Sequence, residues 1–262
     1  MFLSVTWIGA DGSVWPLEGE LTDLAGVVLA KPSGLTSKLD RSTMVRPNGV
    51  GVDVADYAIP AIQGSLDVRV HPDKAAGLSL GDVWRAWCAS WSMINPGELV
   101  VSDSSGYRWR LQALLESPID APAVSPEARG VPFIDSTVNL LATGGVWHGE
   151  SVASGGNTVQ VFNPGDLPTF PRVGWIGQGK HVTPPTGGKI QLPTSSDWVW
   201  LSTNPGLGYR VENEAGETKT AVWASMRGRP VPGILQPGAT ASWSMHSDVR
   251  IEVVPACTNP WR

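Results

Sequence analysis

The chain has 262 residues, with 19 Lys and Arg against 24 Asp and Glu, a net charge of −5, 42% hydrophobic residues, 30 Gly, 22 Pro, 13 Trp and only two Cys. That composition excludes a disordered chain, a disulfide scaffold and a Cys-based zinc site, and the negative charge excludes the basic footprint of a nucleic-acid binder. No apolar run approaches the ~20 residues of a membrane helix, and the N-terminus lacks the basic and long apolar regions of a secretory signal, so no membrane insertion and no export are expected.

The chain opens with alternating residues, Phe2, Ser4, Thr6 and Ile8 against Leu3, Val5 and Trp7. Asp11-Gly12 turns it and Val14-Trp15-Pro16-Leu17 returns, which predicts a hairpin. From 22 to 63 the pattern dissolves into Gly, Ser, Pro and single apolar residues, and Lys31-Pro32-Ser33-Gly34 and Arg46-Pro47-Asn48-Gly49 read as loops. A strand follows at 64–70. Trp84, Trp87, Cys88 and Trp91 fall at helical spacing and predict a helix near 81–94, capped by Ser79 or Asp82 and stopped by Asn95-Pro96-Gly97. Strands are expected at 97–102, 107–111 and 133–142, with an extended crossing at 118–126.

After Ser154-Gly155-Gly156 seven short strands are expected: 158–163, 172–177, 188–192, 198–202, 209–213, 220–224 and 241–254. Their spacing suits a β-sandwich. The fold class is therefore mainly β, in two domains, 1–150 and 151–262, joined near 147–156. The first carries 10 basic and 17 acidic residues, the second 9 and 7.

No cofactor motif and no catalytic constellation stands out. His71, His148, His181 and His246 have no metal-ligand spacing, so no metal site is expected, and there is no G-x-S-x-G, P-loop or G-x-G-x-x-G. Leu207-Gly208-Tyr209 reads as a turn, not a phosphate cradle. Glu212 and Glu214 on one strand face, with Glu217 after the turn, are explained by a solvated hairpin as well as by a hydrolase pair. Cys88 reads as a small buried apolar residue. Trp175, Trp198, Trp200 and Trp223 are candidates for sugar stacking in a lectin-like module, with Trp198 and Trp200 pointing the same way from one strand; core or interface packing is the plainer reading. Val27, Leu29, Leu35 and Leu39, scattered through the long loops, are candidates for contacts between subunits.

Three stretches carry a family resemblance. Trp7-Ile8-Gly9-Ala10-Asp11-Gly12-Ser13 followed by Trp15-Pro16-Leu17 resembles the start of minor tail proteins from long non-contractile-tailed phages of actinobacteria. Asn163-Pro164-Gly165-Asp166-Leu167-Pro168-Thr169-Phe170-Pro171 is similar to the opening of the second domain of phage distal tail (Dit) proteins, and Gly233–Thr240 to the turn before that domain's last strand. The resemblance implies a non-enzymatic virion protein of the tail tip. Its first domain would be a β-sandwich-like belt with one helix, closed by six copies into a ring, and its second a galectin-like β-sandwich. The implied partners are further copies of itself, the tail tube and tape measure proteins, the tail-tip hub and the receptor-binding proteins.

Overall fold

The computed structural model describes residues 4–19, 26–46, 50 and 52–261. Phe2 and Leu3 of the first strand, and Pro47-Asn48-Gly49, lie outside them. One compact unit runs to His148 and takes up the chain again from Cys257; the second is Gly149–Ala256. The sequence reading has one crossing between domains, whereas the structure has two.

The first unit contains β1 (Ser4–Ile8), β2 (Val14–Glu18), β3 (Val27–Ser33), β4 (Asp40–Val45), β5 (Val52–Ala58), β6 (Ile62–Val70), α1 (Leu80–Ala89), β7 (Gly97–Ser102), β8 (Arg108–Leu115), β9 (Ile134–Ala142) and the start of β10 (Trp147–Gly149). An antiparallel sheet runs β2-β1-β7-β8-β9-β6-β3, and its two ends, β2 and β3, lie against each other, so the sheet curls around its own core. The region expected as loops between 22 and 63 instead holds three strands. β3 passes straight through Lys31-Pro32-Ser33, with a register shift between Leu29 and Lys31. β6 supplies the partner along its whole length, and that long-range pairing overrides the local Pro and Ser.

Helix α1 begins in a capping box: the Asp82 N–H donates to Ser79 Oγ, and the Ser79 N–H donates back to the Asp82 carboxylate, each at 3.2 Å. It ends at Ala89, before the expected Asn95-Pro96-Gly97. Ser90 closes it by donating its N–H to the Ala86 carbonyl and its Oγ–H to the Trp87 carbonyl at 2.7 Å, so the last carbonyls are satisfied early. Trp91 therefore lies just past the helix, where its ring stacks on Trp7 with centroids 3.7 Å apart. Trp87 meets Trp91 and Trp15 edge-on at 5.2 and 5.4 Å, and the Trp7 Nε1–H donates to Ser90 Oγ at 3.2 Å. Four indoles thus fasten the helix end to β1 and β2 (offset and T-shaped pairs are the favoured aromatic geometries). Trp84 is only half-buried, and so is Cys88, whose thiol is pushed up by burial.

The last residues belong to this unit too. β20 (Ala256–Cys257) pairs with β10, Cys257 is fully buried, and the Trp147 and Trp261 indoles both donate to the Leu35 carbonyl, at 3.0 and 3.4 Å. Both cysteines are free thiols.

The second unit is a β-sandwich. One sheet is ordered β11 (Val152–Gly155), β19 (Arg250–Val253), β13 (Arg172–Gly177), β16 (Ser195–Ser202), β17 (Val211–Asn213). The other is β12 (Thr158–Phe162), β18 (Thr240–Met245), β14 (His181–Thr183), β15 (Ile190–Gln191). Val161, Trp175, Val199, Leu201, Trp243, Met245 and Ile251 fill the space between them. The Ser154-Gly155-Gly156 stretch read as a linker is largely strand β11. The expected strand at 220–224 is a helix, α2 (Thr220–Ser225): Val222 and Met226, four apart, turn the same face to the core. The single strand expected at 241–254 is two strands in different sheets, broken by a turn in which the Val249 N–H donates to the His246 carbonyl. Asn163 of the Asn-Pro-Gly-Asp stretch is fully buried; its amide donates to the Leu167 and Leu235 carbonyls and its Oδ1 accepts from the Gly165 N–H.

Trp87→Ala should lower the stability of the first unit by about 3–5 kcal/mol in urea unfolding, because it removes the indole that touches both Trp15 and Trp91. Acid should act separately. The carboxyls of Asp11, Asp82, Asp103, Asp135 and Asp248 are held below the usual aspartate range, chiefly by hydrogen bonds from Ser13, Ser79, Ser105, Arg69 and Lys180 respectively. Groups with a depressed folded pKa add stability above their unfolded pKa and lose it as pH falls through the folded value. The urea midpoint should therefore fall as pH drops below about 4, and Ser79→Ala should soften that fall.

Candidate functional site

Two surfaces gather the side chains that sequence singled out. On the first unit, β4 and β5 form a two-stranded sheet of their own. Every side chain of β4 is exposed, including Met44 at 62% and Val45 at 72%; beyond it Val50 is 71% exposed, and Leu39 just before it 41%. Arg46 and Asp53 pair across the hairpin at 2.8 Å. A hairpin of two strands is marginally stable in water by itself, and this one presents apolar side chains to solvent. Of the four candidate contact residues, only Leu39 faces outward. Val27 is buried in the unit's own core and Leu29 half-buried against it, because β3 pairs along β6 and turns them inward; Leu35, just past β3, is buried there too. These three pack the subunit itself. Met44 and Val45, which periodicity did not single out, are exposed apolar residues of β4.

On the second unit the outer face of the five-stranded sheet carries Trp198 and Trp200 side by side, centroids 5.9 Å apart. Both rings are half-buried. Trp200 lies flat on Gly174, the residue opposite it on β13; a Cβ there would meet its ring at 2.7 Å. The Arg172 guanidinium sits 5.0 Å from the Trp200 centroid and that of Arg250 4.8 Å from Trp198. Arg172 is in turn 3.6 Å from Glu252. This is an aromatic and cationic lattice in which each ring has an arginine over it. A sugar-stacking platform needs an open ring face, and here guanidiniums occupy that position.

The remaining candidates are dispersed. Glu212 lies in β17 and pairs with Arg210 at 2.6 Å, Glu214 sits in the turn, and Glu217 accepts from the Asn213 amide at 2.9 Å, which makes a solvated hairpin. His181 and His246 meet edge-on at 6.0 Å; burial, Lys189 and His246 all hold the His181 pKa down. Burial alone lowers that of His148. Among the described residues no three His, Cys, Asp or Glu side chains come together to hold a metal ion. No helix among them is long and apolar enough to cross a membrane.

No family model and no curated protein matches the sequence. Solved structures do match its fold. The crystal structure of the Dit (gp 19.1) protein of phage SPP1, described as a paradigm of the hub adsorption apparatus in phages infecting Gram-positive bacteria, aligns with a TM-score of 0.60 over 98% of this chain and 99% of that one, at 13% identity. A chain of the phage P2 baseplate in its activated conformation with Ca aligns at 0.51, over 97% and 98%, with 9% identity, and the Sr form does so equally. The chain is thus similar, from end to end, to the fold of the SPP1 Dit protein.

Proposed function

We propose that this protein is a structural component of a phage tail tip, in which copies close into a ring that connects the tail tube to the host-adhesion apparatus. The observation that supports it most is the extent of the fold similarity: both units, in order, align with a phage hub protein over nearly the whole of each chain. The resemblance of the tail-protein stretches points the same way. Six copies, a virion location and contacts with tube, tape measure, hub and receptor-binding proteins belong to this proposal, as does an actinobacterial host.

The β4–β5 hairpin is the element we assign to ring contacts. A head-to-tail contact repeated by rotation closes a ring, and a stable one buries more than about 1,000 Å². Leu39, Met44, Val45 and Val50 offer the apolar area. Charge supports assembly only weakly, through an acidic first half and a mildly basic second half, and salt would screen it. The lectin-like reading through Trp198 and Trp200 has less support, because arginines lie over both rings.

Light scattering at micromolar concentration should give a mass near six times 27.8 kDa. Replacing Met44 and Val45 by Ser should weaken association by about tenfold or more and leave the melting temperature within a degree or two, since neither side chain packs in the subunit. A protein that stays monomeric, and that also fails to bind purified tail-tube or tail-tip proteins, would overturn the proposal.

A further inference from the structure

Two hollows in the second unit share Gly228 and Pro230 as a common rim. The first, about 310 Å³, lies beside β17 and is walled by Tyr209, Trp223, Met226 and Arg227. The second, about 580 Å³, lies beside β15 and is walled by Lys189, Ile190, Arg229 and Pro232. Neither belongs to the Trp198–Trp200 face or to the β4–β5 hairpin.

Trp223 stands on α2 with its Nε1–H donating to the Gly208 carbonyl at 2.9 Å, which fixes the indole plane while 36% of the residue stays exposed. Tyr209 follows Gly208 in a second left-handed conformation, φ +53°, the only positive φ of a non-glycine residue among those described. A residue with a Cβ adopts that conformation at a cost. Part of the tyrosine packs on the core, and the residue also walls the first hollow.

The charge around the hollows has one sign. Lys189, Arg227 and Arg229 are exposed, none of them is in an ion pair with a described residue, and no Asp or Glu lines either hollow. Three unpaired cations around one rim, in a chain of net −5, form a local positive field. Open, shallow aromatic surfaces suit the C–H faces of a sugar ring, and guanidinium groups suit a carboxylate or phosphate, which they bind through two parallel hydrogen bonds. An acidic peptide suits this place less well. It would bind by extending a sheet edge, and the edge strand here, β15, has two residues, with Pro184, Pro185 and Pro193 close by in sequence.

We infer that the paired hollows bind an acidic saccharide, a sugar carrying a carboxylate or a phosphate, with its ring against Trp223 and Tyr209 and its anion held by Arg227, Arg229 and Lys189. The site goes beyond the ring-forming role and does not depend on it, since all its residues lie in one unit of one chain.

Titration calorimetry on the full chain tests this with four probes: a glucuronate-containing hyaluronan tetrasaccharide, glucose 1-phosphate, neutral maltotetraose and an oligoglutamate peptide. At least one of the two acidic saccharides should bind about tenfold or more tightly than maltotetraose, and which one does so distinguishes carboxylate from phosphate recognition. Raising NaCl to about 0.5 M should weaken that binding. Trp223→Ala and the double variant Arg227→Glu, Arg229→Glu should each lose about tenfold or more, with Trp198→Ala unchanged. Should Trp223→Ala lower the melting temperature, the double variant decides, since both arginines are exposed. Failure of both acidic saccharides to bind, equal binding of maltotetraose, or oligoglutamate binding as tightly as the saccharides would each overturn the inference. None of these outcomes bears on the oligomeric mass, so the ring proposal stands or falls separately.

Discussion

The indole stack of Trp7 on Trp91 is the contact on which the first unit depends. It joins β1, at the beginning of the sheet, to the segment just beyond α1, more than eighty residues later, and Trp87 and Trp15 complete the junction edge-on. The stack requires space on both sides. Gly97, at the start of β7, lies directly against the outer carbons of the Trp7 ring, and any Cβ there would collide with them. The helix also has to end early for Trp91 to leave its axis, and Ser90 accomplishes this by satisfying the final carbonyls and receiving the Trp7 N–H. A cap, a glycine and a serine stop thus serve one aromatic contact. The buried Nε1 groups of Trp87 and Trp91 have no hydrogen-bond partner among the described residues, and the apolar packing around them outweighs that desolvation.

With the helix and sheet held in this way, the rest of the first unit divides into what packs and what does not. β3 gives Val27 to the core, Leu35 follows just beyond it, and the Trp147 indole in β10 and the Trp261 indole both donate to the Leu35 carbonyl. The β4 strand, by contrast, turns every side chain to solvent. An exposed hairpin with apolar side chains, on a unit whose own core is complete, is what a subunit needs if a neighbour is to finish its packing.

The second unit follows a different logic. Its sandwich core is filled mainly by alternating strand residues, with Met226 at the end of α2 and Val231 and Leu235 from the following segment closing one side. One face is occupied by arginines over tryptophans, an arrangement that covers the rings. The hollows beside β15 and β17 are built from a short helix and turns, where side chains are less constrained by pairing. Binding chemistry is therefore more readily accommodated there than on the sheet face.

Local pattern made part of this legible in the sequence. The opening hairpin, the helix with its tryptophan spacing, the Ser79 cap and most sandwich strands follow from periods of 2 and 3.6 and from turn residues close in the chain. So did the mainly β class. Tertiary structure alone decided the rest. β3 is a strand because β6, more than thirty residues away in its pairing, supplies a partner, and 220–225 is helical because Val222 and Met226 share a core face. The chain re-enters its first unit at Cys257, where β20 pairs with β10 and the Trp261 indole finds an acceptor in the Leu35 carbonyl. Arg172 over Trp200, and Lys189 and Arg229 lining one hollow, are brought together from different strands and turns. Such pairs depend on which segments fold against one another, and the free energy of that choice is spread over the whole sheet rather than written in any short stretch of residues.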